Sequence, residues 1–112
     1  MNNLFLSQST IEKLGYYVYV LIDPRNDKVF YVGKGKGNRV NQHLLGALDE
    51  LSEETDKIRR IREIQSLGLN VGLDIIRHEL TEKEAFEVEC SLIDLIGLHN
   101  LTNIQGGHHG SE

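Results

Sequence analysis

The pattern of apolar and polar residues along the chain predicts three β-strands. The first, 16–22, is rich in β-branched and aromatic residues, and a cluster of turn-forming residues at 23–27 separates it from a second stretch that begins at Lys28. The alternation of the second stretch ends at Gly33, so we expect an antiparallel hairpin followed by a close turn through the glycines. A third stretch, 71–78, predicts one more strand.

Apolar residues at helical spacing predict the remaining elements. A short helical turn is expected at 9–14, and longer helices at 37–51 and 53–67. Ser52 can cap the second of the longer helices, and Gly68 can end it. Four residues of that helix are expected to face the core: Ile58, Ile61, Ile64 and Leu67.

A carboxylate interrupts the most apolar helix, which we expect from the capping-box sequence at Thr81 to about Ile96. Glu89 lies three or four residues from the apolar neighbours Ala85, Phe86, Leu92 and Ile93. Burying an isolated carboxylate costs several kcal/mol, so a cation, hydrogen-bond donors or a metal ion should lie beside it. The alternative is a glutamate at the edge of the apolar stripe that reaches solvent or pairs with an arginine.

Composition limits the class of protein. A chain of 112 residues is one domain, and its formal net charge of -5 argues against a protein that coats nucleic acid non-specifically. Basic residues concentrate in 25–43, so a local cationic patch can still bind a polyanion. The single cysteine, Cys90, excludes an internal disulfide. No apolar run has the length of a membrane span and no secretory signal is visible, so we expect a cytoplasmic protein.

Two tyrosines of the predicted hairpin are candidates for chemistry. Tyr19 and Tyr31 lie in neighbouring strands, and alternation places Tyr31 on one face with Val29 and Gly33. Strand tyrosines commonly pack with a solvated hydroxyl, but a phenol can also orient or deprotonate a water. Because a phenol ordinarily has a pKa of about 10, the second role needs a nearby cation. Three residues that follow could supply it: Lys34, Lys36 and Arg39.

The segment 33–37 alternates glycine with lysine, a composition typical of loops that approach phosphate. It matches neither a Walker loop nor a dinucleotide fingerprint, so a nucleotide-binding protein is not supported. The arginines of the helix predicted at 53–67 form either a solvated face or contacts to a DNA backbone: Arg59, Arg60 and Arg62.

Taken in order, these residues resemble the GIY-YIG nuclease domain. Tyr17-Val18-Tyr19 is similar to the Gly-Ile-Tyr signature of the family, with a tyrosine in place of its glycine, and Tyr31-Val32-Gly33 is similar to its Tyr-Ile-Gly signature. The further positions that match are Lys34, Arg39, His43, Glu89 and Asn103. The segment from Phe30 to Lys36 is especially similar to the subset with LEM and ankyrin domains in animals, and to uncharacterised bacterial proteins.

The resemblance implies a small GIY-YIG-type α/β domain, in which helices flank a three-stranded antiparallel sheet. It covers about 16–105, which leaves an N-terminal lead-in at 1–15 and a tail rich in glycine and histidine at 106–112. Substrate choice in this family usually comes from attached domains or partners, which we therefore expect here.

The activity that the resemblance implies is metal-dependent hydrolysis of DNA phosphodiester bonds. One divalent ion, Mg²⁺ or Mn²⁺, would bind Glu89, and a water deprotonated through Tyr19 or Tyr31 would attack the phosphorus. In the same scheme, Lys34 and Arg39 would offset the charge on the phosphorus. His43 would relay a proton or orient the phosphate, and Asn103 would brace the site. The alternative is a nucleic-acid-binding or partner-recruiting module with little turnover, which the acidic net charge favours.

Overall fold

The computed structural model of the chain describes residues 8–37 and 55–103. Its elements, in chain order, are α1 Gln8–Leu14, β1 Tyr16–Asp23, β2 Lys28–Lys36, α2 Asp56–Ser66, β3 Gly72–Leu80, α3 Glu82–Ile96 and a 3-10 turn at Leu98–Asn100. Most of the helix predicted at 37–51 lies outside the described residues.

The three strands form one antiparallel sheet in the order β2-β1-β3. Strand β1 is central, and nearly all of its residues are buried because helices cover both sides of the sheet. A central strand covered on both sides must be apolar on both faces, and residues 16–22 are apolar throughout. The predicted three-stranded antiparallel sheet is therefore confirmed.

Each face of the sheet packs against a different helix. On one face, which we name the tyrosine face, Tyr17, Tyr19 and Leu21 pack in one apolar cluster with Ile61 and Ile64 of α2. On the other, the valine face, a second cluster joins strand and helix residues: Val18, Val20 and Val32 with Ala85 and Ile93 of α3. Successive side chains of a strand point to opposite faces, so a single strand feeds both clusters.

A β-bulge changes which residues of β2 reach each face. Leu21 pairs with Tyr31 but Ile22 pairs with Val29, which leaves Phe30 as the extra residue. Val29 therefore packs on the valine face and Phe30 on the tyrosine face. The prediction that Val29 shares a face with Tyr31 was wrong, because simple alternation does not include the bulge.

The glycine segment is strand and not a turn. Strand β2 continues to Lys36, three residues past the predicted end at Gly33. Gly33 pairs with Tyr19 and Gly35 with Tyr17, and the Tyr17 hydroxyl donates a hydrogen bond of 2.7 Å to the Gly37 carbonyl. The prediction of a close turn after Gly33 was wrong because the glycines lie opposite large rings, which a pattern read along one strand does not reveal.

Helix α2 begins later than predicted. Its N-cap is Thr55, whose hydroxyl accepts a hydrogen bond of 3.2 Å from the Ile58 amide, so Ser52 does not cap this helix. The helix ends as predicted at a left-handed glycine, Gly68, with a φ of 78°. Leu67 is 59% exposed and does not face the core, because the chain leaves the helical path just before it.

Helix α3 has the predicted boundaries. The Thr81 hydroxyl accepts from the Glu84 amide at 3.1 Å and the Glu84 carboxylate accepts from the Thr81 amide at 2.9 Å, which completes the capping box. Gly97, with a φ of 96°, follows the last helical residue. Burial raises the pKa of the Cys90 thiol, as expected of a packing residue.

Asp23 joins the hairpin to α2. This carboxylate is only 1% exposed, and it accepts hydrogen bonds from the Arg25 guanidinium at 2.7 Å and 2.9 Å and from Arg60 of α2 at 3.3 Å. Arg25 also bonds to Glu63 of α2 at 3.2 Å. These bonds, led by those from Arg25, lower the pKa of Asp23 from 3.8 to about 2.

We expect Asp23→Asn to remove stability that depends on pH. The carboxylate has a lower pKa folded than unfolded, so its contribution, about 2 kcal/mol, is present above about pH 4 and is lost as the pH falls towards 2. Urea unfolding across this range should show wild type losing stability and the variant changing less. Asp74→Asn, at an exposed carboxylate of β3, is the matched control. Parallel pH curves for wild type and Asp23→Asn would contradict the role of this network.

Candidate functional site

The ring of Tyr19 lies over Gly33 on the tyrosine face. The two residues pair directly across β1 and β2, and a Cβ at Gly33 would lie 2.6 Å from Cζ and 2.7 Å from the hydroxyl oxygen of Tyr19. No side chain fits there, so the tyrosine of the first signature requires the glycine of the second. The tip of the Tyr19 ring thereby reaches the backbone of β2, the outermost strand on its side of the sheet.

Tyr31 lies beside Tyr19. Their ring centroids are 6.2 Å apart and the planes are tilted by 44°, within the usual range for aromatic pairs. Tyr19 is fully buried, whereas Tyr31 is half-buried. Lys57 of α2 places its Nζ 4.6 Å from the centroid of the Tyr31 ring. The predicted neighbouring tyrosines are therefore close together, and one of them carries a cation over its face.

Asn103 binds the outer edge of β2. Its side-chain amide accepts from the Val32 N–H at 3.1 Å and donates to the Val32 carbonyl at 2.8 Å, as a neighbouring strand would do. Thr102 adds two hydrogen bonds to the Phe30 carbonyl, from its amide at 2.7 Å and its hydroxyl at 2.9 Å. This segment thus holds the strand that carries Tyr31 and Gly33.

Glu89 lies on the inward stripe of α3. It is four residues from Ala85 and from Ile93, which are both buried on the valine face, and it is only 7% exposed. Its Oε1 atom is buried. Glu89 therefore lies among apolar residues, as predicted.

Lys34 and Lys36 of β2 lie on the valine face. Lys34 pairs with Val18 and is half-buried, and Lys36 pairs with Tyr16 and places its Nζ 5.1 Å from the centroid of that ring. Their side chains leave the strand on the side opposite to Tyr31. Among the described residues, the cation placed over a candidate tyrosine is Lys57 and not Lys34 or Lys36.

The sheet separates the candidate residues into two groups. Tyr19 and Tyr31 lie on the tyrosine face under α2, whereas Lys34 and Glu89 lie on the valine face with α3. Strand β2 carries members of both groups, Tyr31 on one face and Lys34 on the other. Arg39 and His43 lie outside the described residues, so their predicted roles stay predictions.

The arginines of α2 have different surroundings. Arg59 is exposed and bonds to Asp56 at 3.0 Å, whereas Arg60 bonds to Asp23 and lies 5.2 Å from the centroid of the Phe30 ring. Arg62 is half-buried. The charge of Arg60 is therefore partly used inside the protein, and Arg59 is the most exposed of these three arginines.

Glu89 is suited to a divalent ion by its chemistry. A carboxylate oxygen is a hard ligand, and burial would favour its pairing with a cation. Within the described ranges, no three His, Cys, Asp or Glu side chains lie close enough to hold an ion together. A single carboxylate whose ion takes its other ligands from water and substrate phosphate is an arrangement common for Mg²⁺.

The sequence reasoning missed Lys57 and Thr102. Lys57 lies one helical turn before Arg60, so the spacing placed both on one side of α2, but only the packing of α2 on β2 shows which rings they cover. Thr102 is next to Asn103, which the resemblance did identify, and no local pattern marks its contact with an edge strand.

A family model for the LEM-3-like GIY-YIG domain matches residues 16–112. The chain belongs to this family. The predicted GIY-YIG resemblance is therefore confirmed, as is the subset linked to LEM and ankyrin domains. The fold agrees, since the described residues form a small α/β domain around a three-stranded antiparallel sheet.

Curated relatives of this GIY-YIG domain are much longer proteins. The Caenorhabditis elegans "Ankyrin repeat and LEM domain-containing protein 1 homolog" is 31% identical over 116 residues, which cover 85% of this chain and 16% of that protein. The mouse "Ankyrin repeat and LEM domain-containing protein 1" is 31% identical over 83% of this chain and 22% of its own length, and the human protein is 27% identical over 82% and 20%. The chain thus spans about a fifth of these relatives.

No solved structure shows significant similarity to this chain. Within 8–37 and 55–103, no helix has the length and apolar composition that a bilayer-spanning helix requires.

We expect Gly33→Ala to destabilise the domain by about 1–3 kcal/mol, because the added methyl group overlaps the Tyr19 ring. Alanine in place of glycine inside a strand would otherwise stabilise by about 0.5–1 kcal/mol, so the sign of the effect is diagnostic. Chemical denaturation provides the measurement.

The control for this prediction is the same substitution in a Tyr19→Leu background. Without the ring, Gly33→Ala should destabilise the domain much less. The double-mutant cycle should then give a coupling energy of about 1 kcal/mol or more. An equal cost of Gly33→Ala in both backgrounds would refute the ring contact as its cause.

Proposed function

We propose that this domain hydrolyses phosphodiester bonds of DNA. Membership of a GIY-YIG nuclease family supports a nuclease-type function. The structural observation that carries the proposal is the close packing of Tyr19 on Gly33, which brings two phenols together beside a strand edge held by Asn103. An outermost strand with a glycine offers a phosphate group close approach to the backbone.

In the proposed reaction, Tyr19 or Tyr31 first gives up its phenol proton to solvent, and the resulting phenolate accepts a proton from the attacking water. The resulting hydroxide adds to phosphorus opposite the leaving oxygen, and the P–O bond to that oxygen breaks. Lys34, on the other side of the same strand segment, and Arg39 offset the negative charge that develops on the phosphate. His43 orients the phosphate or relays the proton, and Asn103 keeps β2 in register.

Glu89 would hold one divalent ion, Mg²⁺ or Mn²⁺, and such an ion supplies positive charge to the phosphate oxygens. The role of the protein is then to fix the carboxylate on a well-capped helix whose apolar stripe packs on the valine face. A carboxylate held this way loses little conformational entropy when it binds a ligand.

DNA binding by this domain should be weak and sensitive to salt. The formal net charge is -5, so attraction to DNA comes from local basic side chains and not from the whole molecule. We propose Lys36, Arg59 and Arg62 as backbone contacts, with Arg60 contributing less because it bonds to Asp23. The longer relatives, with ankyrin and LEM domains in their names, suggest that further domains provide substrate selection.

The separation of Glu89 from the tyrosines by the sheet favours a second candidate function. If the two groups do not act on one phosphate, the domain would bind nucleic acid or recruit a partner without turnover. A wild-type protein that binds DNA but does not cleave it in either Mg²⁺ or Mn²⁺ would establish this alternative.

We expect Glu89→Gln and Tyr31→Phe each to lower cleavage of supercoiled and branched DNA at least 100-fold, since each removes a group used in the reaction. Nicking by purified protein, with Mg²⁺, with Mn²⁺ and with chelator, is the measurement. Glu87→Gln is the matched control, because Glu87 is exposed on the same helix. Equal cleavage by wild type and Glu89→Gln would point to a contaminating nuclease and sink the proposal.

A further inference from the structure

Lys57 is fixed over the ring of Tyr31 by the start of α2. It is the second residue of the helix, directly after Asp56 and the Thr55 cap, and it is half-buried. Its Nζ lies 4.6 Å from the centroid of the Tyr31 ring, within the distance of a cation–π contact. The bonds between Arg60 and Asp23, one turn later, hold the same helix to the hairpin.

A cation over a phenol ring favours loss of the phenol proton. The neutral ring attracts the ammonium only through its quadrupole, whereas the phenolate carries a full negative charge that spreads into the ring. The attraction therefore increases when the proton leaves. A half-buried location strengthens this effect, because less water screens the pair than at an open surface.

Other ionisable groups that the structure describes near Tyr31 do not replace this charge. On β1 the neighbour is the phenol of Tyr19, which is neutral when protonated. On α2 the next cation, Arg60, lies over Phe30 and is paired with Asp23. Lys34 and Lys36 leave β2 on the opposite face. Among the described residues, Lys57 is the cation placed over the Tyr31 ring.

We propose that Lys57 is a positioning residue for Tyr31: its ammonium holds the ring and stabilises the charge that the phenol acquires when it gives up its proton. The proposal rests on the proposed function only in taking Tyr31 as the group that accepts a proton from water. It also assigns a role to α2, which the two signature motifs do not include.

The test is a pH titration of Tyr31 in the folded domain, monitored by NMR of tyrosines labelled at Cζ. The chain has four tyrosines, and Tyr31→Phe identifies the resonance by its loss. Lys57→Met should raise the pH at which Tyr31 titrates by about one unit, and Lys57→Arg should restore most of the shift. Lys83→Met, which removes an exposed lysine from α3, is the matched control and should leave the titration unchanged.

A second measurement keeps the test decisive if a variant unfolds at high pH. In the wild-type domain, lysines labelled at Cε should include one resonance, absent in Lys57→Arg, that moves at the pH where Tyr31 ionises, because coupled groups respond to each other. No such response, or equal Tyr31 titrations in wild type, Lys57→Met and Lys83→Met, would overturn the proposal.

These outcomes are separable from those of the cleavage assay. A shifted Tyr31 titration in a domain that cleaves no DNA would support the charge coupling and refute the nuclease proposal. Cleavage that depends on Glu89, with no titration shift on loss of Lys57, would support the nuclease proposal and refute the charge coupling. If both hold, loss of Lys57 should move the acidic limb of the pH profile of kcat/KM upward by the same shift.

Discussion

The packing of the Tyr19 ring on Gly33 is the contact on which the arrangement of the sheet depends. A ring on the central strand needs space on its neighbour, and glycine in the paired position provides it. The pairing repeats two residues away, where Tyr17 faces Gly35 and reaches the Gly37 carbonyl. Gly33, which would weaken a strand by lacking a side chain, is thereby covered by a ring from the next strand, and β2 stays extended through the segment that carries Lys34 and Lys36.

Two other interactions fix the position of α2 and the outer edge of β2, which lie next to these rings. The buried Asp23 carboxylate, bonded to Arg25 and Arg60, sets the position of α2 relative to the hairpin, and α2 in turn carries Lys57 to Tyr31. On the outer edge, the Asn103 side chain takes the place of a missing strand. An exposed strand edge is prone to pair with other chains, so this contact both protects β2 and fixes its register.

The division of the candidate residues between two faces of a thin sheet shapes the proposed chemistry. Glycine at position 33 leaves only backbone between Tyr19 on one side and the surface that bears Lys34 on the other. A phosphate at that edge would be approached by phenols from under α2 and by cationic and carboxylate groups from the side of α3. The elements that carry these groups are held by caps and buried packing, which limits the rearrangement needed on binding.

The sequence by itself determined the strands, the capping box of α3, the family and the position of Glu89 in an apolar stripe, because these depend on local periodicity and on the order of signature residues. Only the tertiary structure decided that 34–36 is strand, that Phe30 is a bulge and that Lys57 covers Tyr31. Each of these depends on which residue of another element lies opposite. Such pairings arise between segments distant along the chain, so no pattern within one segment contains them.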